Sequence, residues 1–170
     1  YGGLSFYQRK EIKDVIAYFR MVVNPYDEEA FRRIINFPTR GIGNTTLGKI
    51  ADAARMQNIS LWEVIGNPLE HNLNVNAGTA KKLTGFRELI ESFIAQLKEL
   101  NAYELASRIV KQSGIAGDAY QDQTPEGMSR QENLQELLGG IHEFCETRQE
   151  EGSDNIGLMD FLSEVSLLSD

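Results

Sequence analysis

The fold is decided by the stretch Asn36-Phe37-Pro38-Thr39-Arg40-Gly41-Ile42-Gly43-Asn44-Thr45-Thr46-Leu47-Gly48-Lys49-Ile50. A helix that Asp27 caps is expected to end at Phe37-Pro38, because the residue before a proline is disfavoured in the α conformation. Two glycines then form a loop, and another helix is expected from about Thr45 to Met56. The stretch therefore predicts two helices joined by a tight turn.

The segments on either side also have a helical period. Between residues 11 and 23, apolar side chains recur at spacings of three and four, which places them on one helix face: Ile12, Val15, Ile16, Phe19, Val22 and Val23. Ser60 and Glu63 form the capping-box pattern of a short helix. Polar connections are expected at 66–76 and 117–129, and further helices at 77–100, 102–112, 130–150 and 158–168. With no strand pattern found, the sequence predicts an all-α, multi-helix single domain over residues 1–170.

The turn between the two glycines has the groups needed to hold an anion. Gly43 stands at a helix start, where backbone N–H groups lack intrahelical partners and the helix dipole is positive. Ile42 is expected to point back into the core. A helix-hairpin-helix-like arrangement of this kind would hold a DNA phosphate without reading base sequence. The alternative is an ordinary helix connection whose glycines serve only the turn. The candidate DNA-binding residues are Arg40, Gly41, Ile42, Gly43, Thr45, Thr46 and Lys49.

The charge of the chain is unevenly distributed. A net charge of -8 taken alone argues against a nucleic-acid binder. However, residues 1–60 carry a net charge of +3 and residues 61–170 a net charge of -11. Such asymmetry indicates one basic working end and one acidic, solvated body. The alternative is that the charges are simply scattered.

No catalytic, metal or cofactor site is predicted. The GxxxxGK[ST] phosphate cradle is absent from the sequence. His142 and Cys145 lie three residues apart, but they have no further ligand at zinc spacing, and Cys145 has no partner for a disulfide. No apolar run approaches the roughly 20 residues that cross a bilayer. Because the chain begins at Tyr1 without a signal-peptide pattern, we expect a piece of a longer, cytoplasmic protein.

Three segments resemble the UvrD/PcrA/Rep-type superfamily 1 DNA helicases. The first is GGLSFYQRKEIKD at residues 2–14, followed by Ala17-Tyr18-Phe19-Arg20. The second is residues 36–46 with their Gly-Ile-Gly turn, and the third is RQENLQEL at residues 130–137. The order matches the family, and the similarity covers essentially the whole chain. Phe19 in place of the usual leucine, and Gly48 within a helix, are mild departures.

The resemblance implies that the chain is subdomain 2B, the all-helical insertion of one motor domain, with residues 1–10 at the junction. It further implies contact with the backbone of duplex DNA at a fork junction, and rotation of the subdomain to regulate unwinding. The family members are ATP-dependent helicases that move 3′ to 5′ and act in DNA repair and replication. Mg-ATP binds between their motor domains, outside these 170 residues. We therefore expect no ATPase activity and no cofactor in this chain alone.

One alternative function stays open at this point, a protein-interaction module with a purely structural hairpin, which a large exposed apolar patch on the later helices would favour. An independent enzyme ranks third, because no nucleophile–base or metal constellation is visible. The basic segment Arg9-Lys10-Lys13 ranks below the hairpin as a DNA contact because Glu11 and Asp14 could pair with it. The residues whose contact with DNA the sequence leaves open are Arg9, Lys10, Arg130 and Asn133.

Overall fold

The computed structural model describes residues 3–168, which form helices and short connections. The absence of strands in this range confirms the all-α prediction. Tyr1 and Gly2, part of the expected junction segment, lie outside the described residues, as do Ser169 and Asp170. The helices are α1 (Leu4–Tyr7), α2 (Lys10–Val23), α3 (Glu28–Ile34), α4 (Asn44–Gln57), α5 (Leu61–Gly66), α6 (Ala77–Ile94), α7 (Ala102–Gln112), α8 (Ile115–Gln121), α9 (Pro125–Glu150) and α10 (Leu158–Leu168).

Helix α2 lies at the centre of the core. It packs against α1, α3, α6, α7, α9 and α10. Its buried residues extend beyond the predicted stripe to further faces of the helix, as expected for a helix enclosed by others. The apolar ones are Ile12, Val15, Ala17, Tyr18, Phe19, Met21 and Val22. Helices α3 to α6 and helices α7 to α10 are thus joined through α2. None of the described helices is both long and apolar enough to cross a membrane.

Side-chain caps fix the start of several helices. The carboxylate of Asp27 accepts a hydrogen bond from the backbone N–H of Ala30, and the hydroxyl of Ser60 accepts one from Glu63, which confirms both predicted caps. Each such cap stabilises a helix by about 1 kcal/mol. Equivalent caps that the sequence analysis does not name start α6, α7 and α9 and are Asn76, Asn101 and Thr124.

The predicted polar connection over 117–129 is wrong. Helix α8 covers its first part, and α9 begins already at Pro125, a residue that favours the first helical turn. Gly127 serves packing and not a loop, because a Cβ there would lie 2.2 Å from the carbonyl oxygen of Asp122. Helix α8 packs against α7 and α9, and its buried residues are Ile115 and Ala119.

Two predicted helix ends also differ from the structure. Helix α6 ends at Ile94 and not at residue 100, because the N–H groups of Gln96 and Leu97 bond carbonyls three residues back in a tighter turn. Helix α3 ends at Ile34, before the predicted Phe37-Pro38 boundary.

Polar contacts hold the start of α2 to α3 and α9. Arg33 Nε donates to Asp14 at 2.8 Å, and the Asp14 side chain is only 6% exposed. On α9, Asn133 accepts a hydrogen bond from Arg9 at 2.5 Å and donates one to Glu11. The first and third segments of the helicase resemblance are therefore bonded to each other within this fold.

We predict that Asp14→Ala lowers the free energy of unfolding by about 1–3 kcal/mol, because the side chains of Arg33 and Lys10 lose a buried partner. Urea unfolding followed by far-UV circular dichroism measures this loss. Asp52→Ala is the matched control, since Asp52 and its partner Arg55 are 63% and 74% exposed, and it should cost about 0.5 kcal/mol or less. Equal losses in the two variants would contradict the assigned role of Asp14.

Candidate nucleic-acid interface

The connection between α3 and α4, residues 35–43, is called here the α3–α4 turn, and one side chain closes it. Oδ1 of Asn36 accepts hydrogen bonds from the backbone N–H of Arg40 at 2.9 Å and of Ile42 at 3.1 Å. Ile42 is 1% exposed and packs into the core, as the sequence predicts. The two exposed glycines of the turn therefore flank an anchored residue.

Gly41 is required by the folded chain itself. Its φ is +79°, in the left-handed region that favours glycine. A Cβ at this position would lie 2.6 Å from Nζ of Lys82, whose side chain crosses from α6 to the turn. A larger residue at this position would both strain the backbone and displace that lysine.

Neither the backbone conformation nor the surroundings of Gly43 require a glycine at this position. Its φ of -87° and ψ of -175° suit any residue, and a Cβ would meet no atom within 4 Å. Gly43 is the N-cap of α4 and provides no capping side chain. Its lack of a side chain therefore leaves the start of α4 open to solvent.

The start of α4 is a positive helix end that has neither a capping side chain nor an acidic residue in its first turn. Side chains cap α3, α5, α6, α7 and α9, and acidic residues occupy the first turns of α2, α8 and α10. Among the helices of residues 3–168, only α4 and the four-residue α1 have neither. Asn44 and Thr45 are exposed there and Thr46 is half-buried, and the two threonine hydroxyls have no partner among the described residues. Such an end is suited to binding an anion.

Arg40 is turned toward the protein. Its Nη1 donates to the carbonyl oxygens of Ile34 at 2.6 Å and Ile35 at 2.7 Å, and its Nη2 donates to the hydroxyl of Tyr18 at 2.6 Å. The guanidinium also lies 4.8 Å from the ring centroid of Phe86, at cation–π distance. The turn therefore brings the predicted site residues together but commits the Arg40 side chain to internal contacts.

Two lysines supply charge near the turn. Nζ of Lys49 donates to the carbonyl oxygen of Asn74 at 2.7 Å, and Nζ of Lys82 lies against Gly41. Lys82 is not among the residues predicted for this site, because it is far along the chain and no local pattern links it to the turn. The exposed Asn44 is not among them either, although a polar residue directly after Gly43 is a signal that could have indicated it.

Arg130 forms an ion pair at the start of α9. Its Nη2 lies 2.5 Å from a carboxylate oxygen of Asp122. Hydrogen bonds from the hydroxyl and backbone N–H of Thr124, together with that from Arg130, lower the pKa of Asp122 to about 2. Arg130, Arg9 and Asn133 all belong to the segments that resemble the helicases, and each of them forms contacts within this fold.

Comparison with known proteins assigns the family. A family model described as the UvrD-like helicase C-terminal domain matches residues 1–170. The chain belongs to this family. This UvrD-like chain is 35% identical over 170 residues to the ATP-dependent DNA helicase PcrA of Leuconostoc citreum, a match that covers 99% of the chain and 23% of that protein.

Two further relatives agree with the assignment of the chain to the UvrD-like family. DNA helicase II of Escherichia coli (strain K12) is 34% identical over 167 residues, which are 98% of the chain and 23% of that helicase. The ATP-dependent DNA helicase PcrA of Bacillus subtilis (strain 168) is 36% identical over 169 residues, 99% of the chain and 22% of the relative. The UvrD-like chain thus spans less than a quarter of the length of these relatives, and the resemblance found in the sequence is confirmed.

We predict opposite tolerance at the two glycines of the turn. Gly41→Ala should lower the free energy of unfolding by about 1–2 kcal/mol, because alanine is strained at a positive φ. Gly43→Ala should change it by only about 0.5 kcal/mol or less, since its backbone and surroundings accept a Cβ. Chemical unfolding of the two variants side by side measures the difference. A large loss for Gly43→Ala would show that Gly43 also serves the fold.

Proposed function

We propose that this chain is the duplex-DNA-binding and regulatory subdomain of an ATP-dependent DNA helicase that moves 3′ to 5′. The α3–α4 turn and the start of α4 would hold backbone phosphates of duplex DNA at a fork junction, in the manner of a helix-hairpin-helix. The single observation that carries the proposal is the open start of α4, which lacks both a capping side chain and an acidic first turn. The names of the relatives, which are DNA helicases, support the same substrate class.

The proposed contact surface consists of backbone and side-chain donors. The free N–H groups of the first turn of α4 and the hydroxyls of Thr45 and Thr46 would donate to phosphate oxygens. Lys49 adds positive charge beside them. Because such contacts touch no base edge, binding should be independent of base sequence and weaken as salt rises, with a Kd of roughly 10⁻⁴–10⁻⁶ M or weaker at physiological salt.

ATP chemistry belongs to other parts of the proposed helicase. Mg-ATP would bind between the motor domains. This subdomain would join them through the junction at residues 1–10. Rotation of the subdomain would regulate unwinding during DNA repair or replication in the cytoplasm. We predict that the purified chain shows no DNA-stimulated ATP hydrolysis, because its sequence contains no phosphate cradle with a lysine. A coupled phosphate-release assay with and without duplex DNA tests this, and stimulated turnover would contradict the assignment.

One observation favours a second candidate function, protein binding. A groove of about 680 Å³ lies between α1, α2, α3 and α10. Met159, on its rim, is 58% exposed, so an apolar surface of the later helices is open to a partner. If the hairpin proves structural, this groove becomes the main functional surface. Its aliphatic and methionine lining residues are Leu4, Ile16, Ala17, Val23, Ala30, Met159, Leu162, Val165 and Leu168.

We predict that Gly43→Asp weakens duplex binding by about tenfold or more, because its carboxylate would cap the N–H groups of α4 and repel phosphate. The same change should leave the fold intact or stabilise it slightly, since aspartate is a favoured N-cap. NMR titration of the amide signals of Asn44, Thr45 and Thr46 with a short DNA duplex measures the binding.

Gln149→Glu is the charge-matched control for this experiment. Gln149 is exposed in the last turn of α9, far along the chain from the α3–α4 turn. Its replacement by glutamate changes the net charge of the protein by the same amount as Gly43→Asp. Its duplex affinity should stay close to that of the wild type. If folded Gly43→Asp keeps wild-type affinity, the hairpin is a structural turn and the protein-binding function replaces the DNA-binding one.

A further inference from the structure

We infer that Lys82, and not Arg40, supplies the side-chain positive charge that binds a DNA phosphate beside Gly41, while Arg40 positions the α3–α4 turn through Tyr18. This inference rests on the proposed function. It assigns a binding residue from α6 to a surface that is otherwise built from α3 and α4, and it gives the arginine of the turn a different role.

The contacts of Arg40 are those of a positioning residue. Three hydrogen bonds join its guanidinium to the end of α3 and to α2, through Ile34, Ile35 and Tyr18. The ring of Phe86, on α6, lies against the same group. Turning Arg40 outward to a phosphate would break all of these contacts and leave the carbonyl oxygen of Ile35 without its donor, whereas that of Ile34 would keep the N–H of Phe37. The charge of Arg40 is therefore used to fix where the turn lies.

Tyr18 ties the turn to the central helix. Its side chain is 0% exposed, so it has no surface with which to touch DNA. Its hydroxyl donates to the carbonyl oxygen of Phe37 and accepts from Arg40, both within the turn. A change confined to this hydroxyl can reach DNA binding only through the position of the turn.

Lys82 differs from Arg40 and Tyr18 in its exposure and in its contacts. It is exposed, and no carboxylate lies within ion-pair distance of its Nζ among the described residues. Its side chain crosses the face of Gly41, with Nζ, Cε and Cδ at 2.6, 3.5 and 3.6 Å from the position of a Cβ. An ammonium group without a carboxylate partner, beside a turn that leads into an open helix start, is placed to bind a phosphate next to Gly41.

Salt dependence separates the two roles. Each phosphate contact made by a cation releases counterions and contributes about 0.9 to the slope of log affinity against log salt. A positioning residue changes affinity without removing such a contact, so the slope stays the same. Measuring duplex affinity of the 170-residue chain over a salt series therefore distinguishes Lys82 from Arg40.

For Lys82 the test is Lys82→Ala against Lys98→Ala. Lys98 is also an exposed lysine but lies beyond the opposite end of α6, so it is the matched control. Lys82→Ala should weaken binding and make the salt slope less negative by about one, whereas Lys98→Ala should keep the wild-type slope. Identical slopes in the two variants would overturn the assignment of Lys82.

For Arg40 the test uses Arg40→Gln, Arg40→Lys and Tyr18→Phe. All three should weaken binding several-fold with the wild-type slope, and should shift the amide signals of Gly41 and Gly43 in the DNA-free protein. Arg40→Lys keeps the positive charge. Wild-type affinity in Arg40→Lys, together with a salt slope that is less negative by about one in Arg40→Gln, would identify Arg40 as a phosphate contact and overturn the inference. Tyr18→Phe removes only the hydroxyl oxygen, so it can be used if the Arg40 variants unfold. Wild-type DNA affinity in Tyr18→Phe would overturn the positioning role of Arg40.

Failure of the inference and failure of the proposed function are distinguishable. A wild-type chain that does not bind duplex DNA overturns both. A wild-type chain that binds, with binding lost in Gly43→Asp but a wild-type salt slope in Lys82→Ala, keeps the proposed function and overturns the inference alone.

Discussion

The hydroxyl of Tyr18 connects the core of the protein to its proposed DNA surface. The side chain belongs to α2 and is fully buried, so its polar atom needs partners inside the fold. It finds them in the carbonyl oxygen of Phe37 and the guanidinium of Arg40, on the α3–α4 turn. Burial raises the pKa of Tyr18 above its usual value, although Arg40 acts in the opposite direction, so the hydroxyl is protonated and can donate. Because a shift of the turn would leave these groups unpaired, at about 1–3 kcal/mol for each, the packing of α2 determines where α4 begins.

The proposed phosphate-binding surface is compatible with an acidic protein, because several of the acidic residues lie at the starts of other helices. Much of the negative charge serves the chain's own helix starts, as Glu63, Glu104 and Glu126 do in the first turns of α5, α7 and α9. There each carboxylate interacts favourably with the local helix dipole. At physiological salt, charges further than about 8 Å from a bound phosphate are largely screened, so the charges near the turn matter more than the total of -8. Among the described helices longer than one turn, the start of α4 is set apart because it has neither a capping side chain nor an acidic residue in its first turn.

The sequence predicts those parts of the fold that depend on neighbouring residues. The period of α2, the caps Asp27 and Ser60, and the inward-pointing Ile42 all follow from local pattern and agree with the structure. Residues 117–129 are mispredicted because their glycines and proline are typical of loops, whereas burial against α9 stabilises α8 as a helix. The inward turn of Arg40 and the approach of Lys82 depend on contacts between distant segments. No local pattern encodes such contacts.

The two glycines of the turn are the same residue type for different physical reasons. The fold itself requires glycine at position 41, because the residue has a positive φ and the side chain of Lys82 lies across it. Gly43 meets no atom and has a backbone that any residue could adopt, so the fold itself gives no reason for a glycine there. A polar residue at an N-cap would even stabilise α4. A helix start that goes without that stabilisation keeps its N–H groups available to an acceptor such as the proposed phosphate. The proposed DNA binding would therefore account for the glycine at position 43, whereas the backbone conformation of the turn already accounts for Gly41.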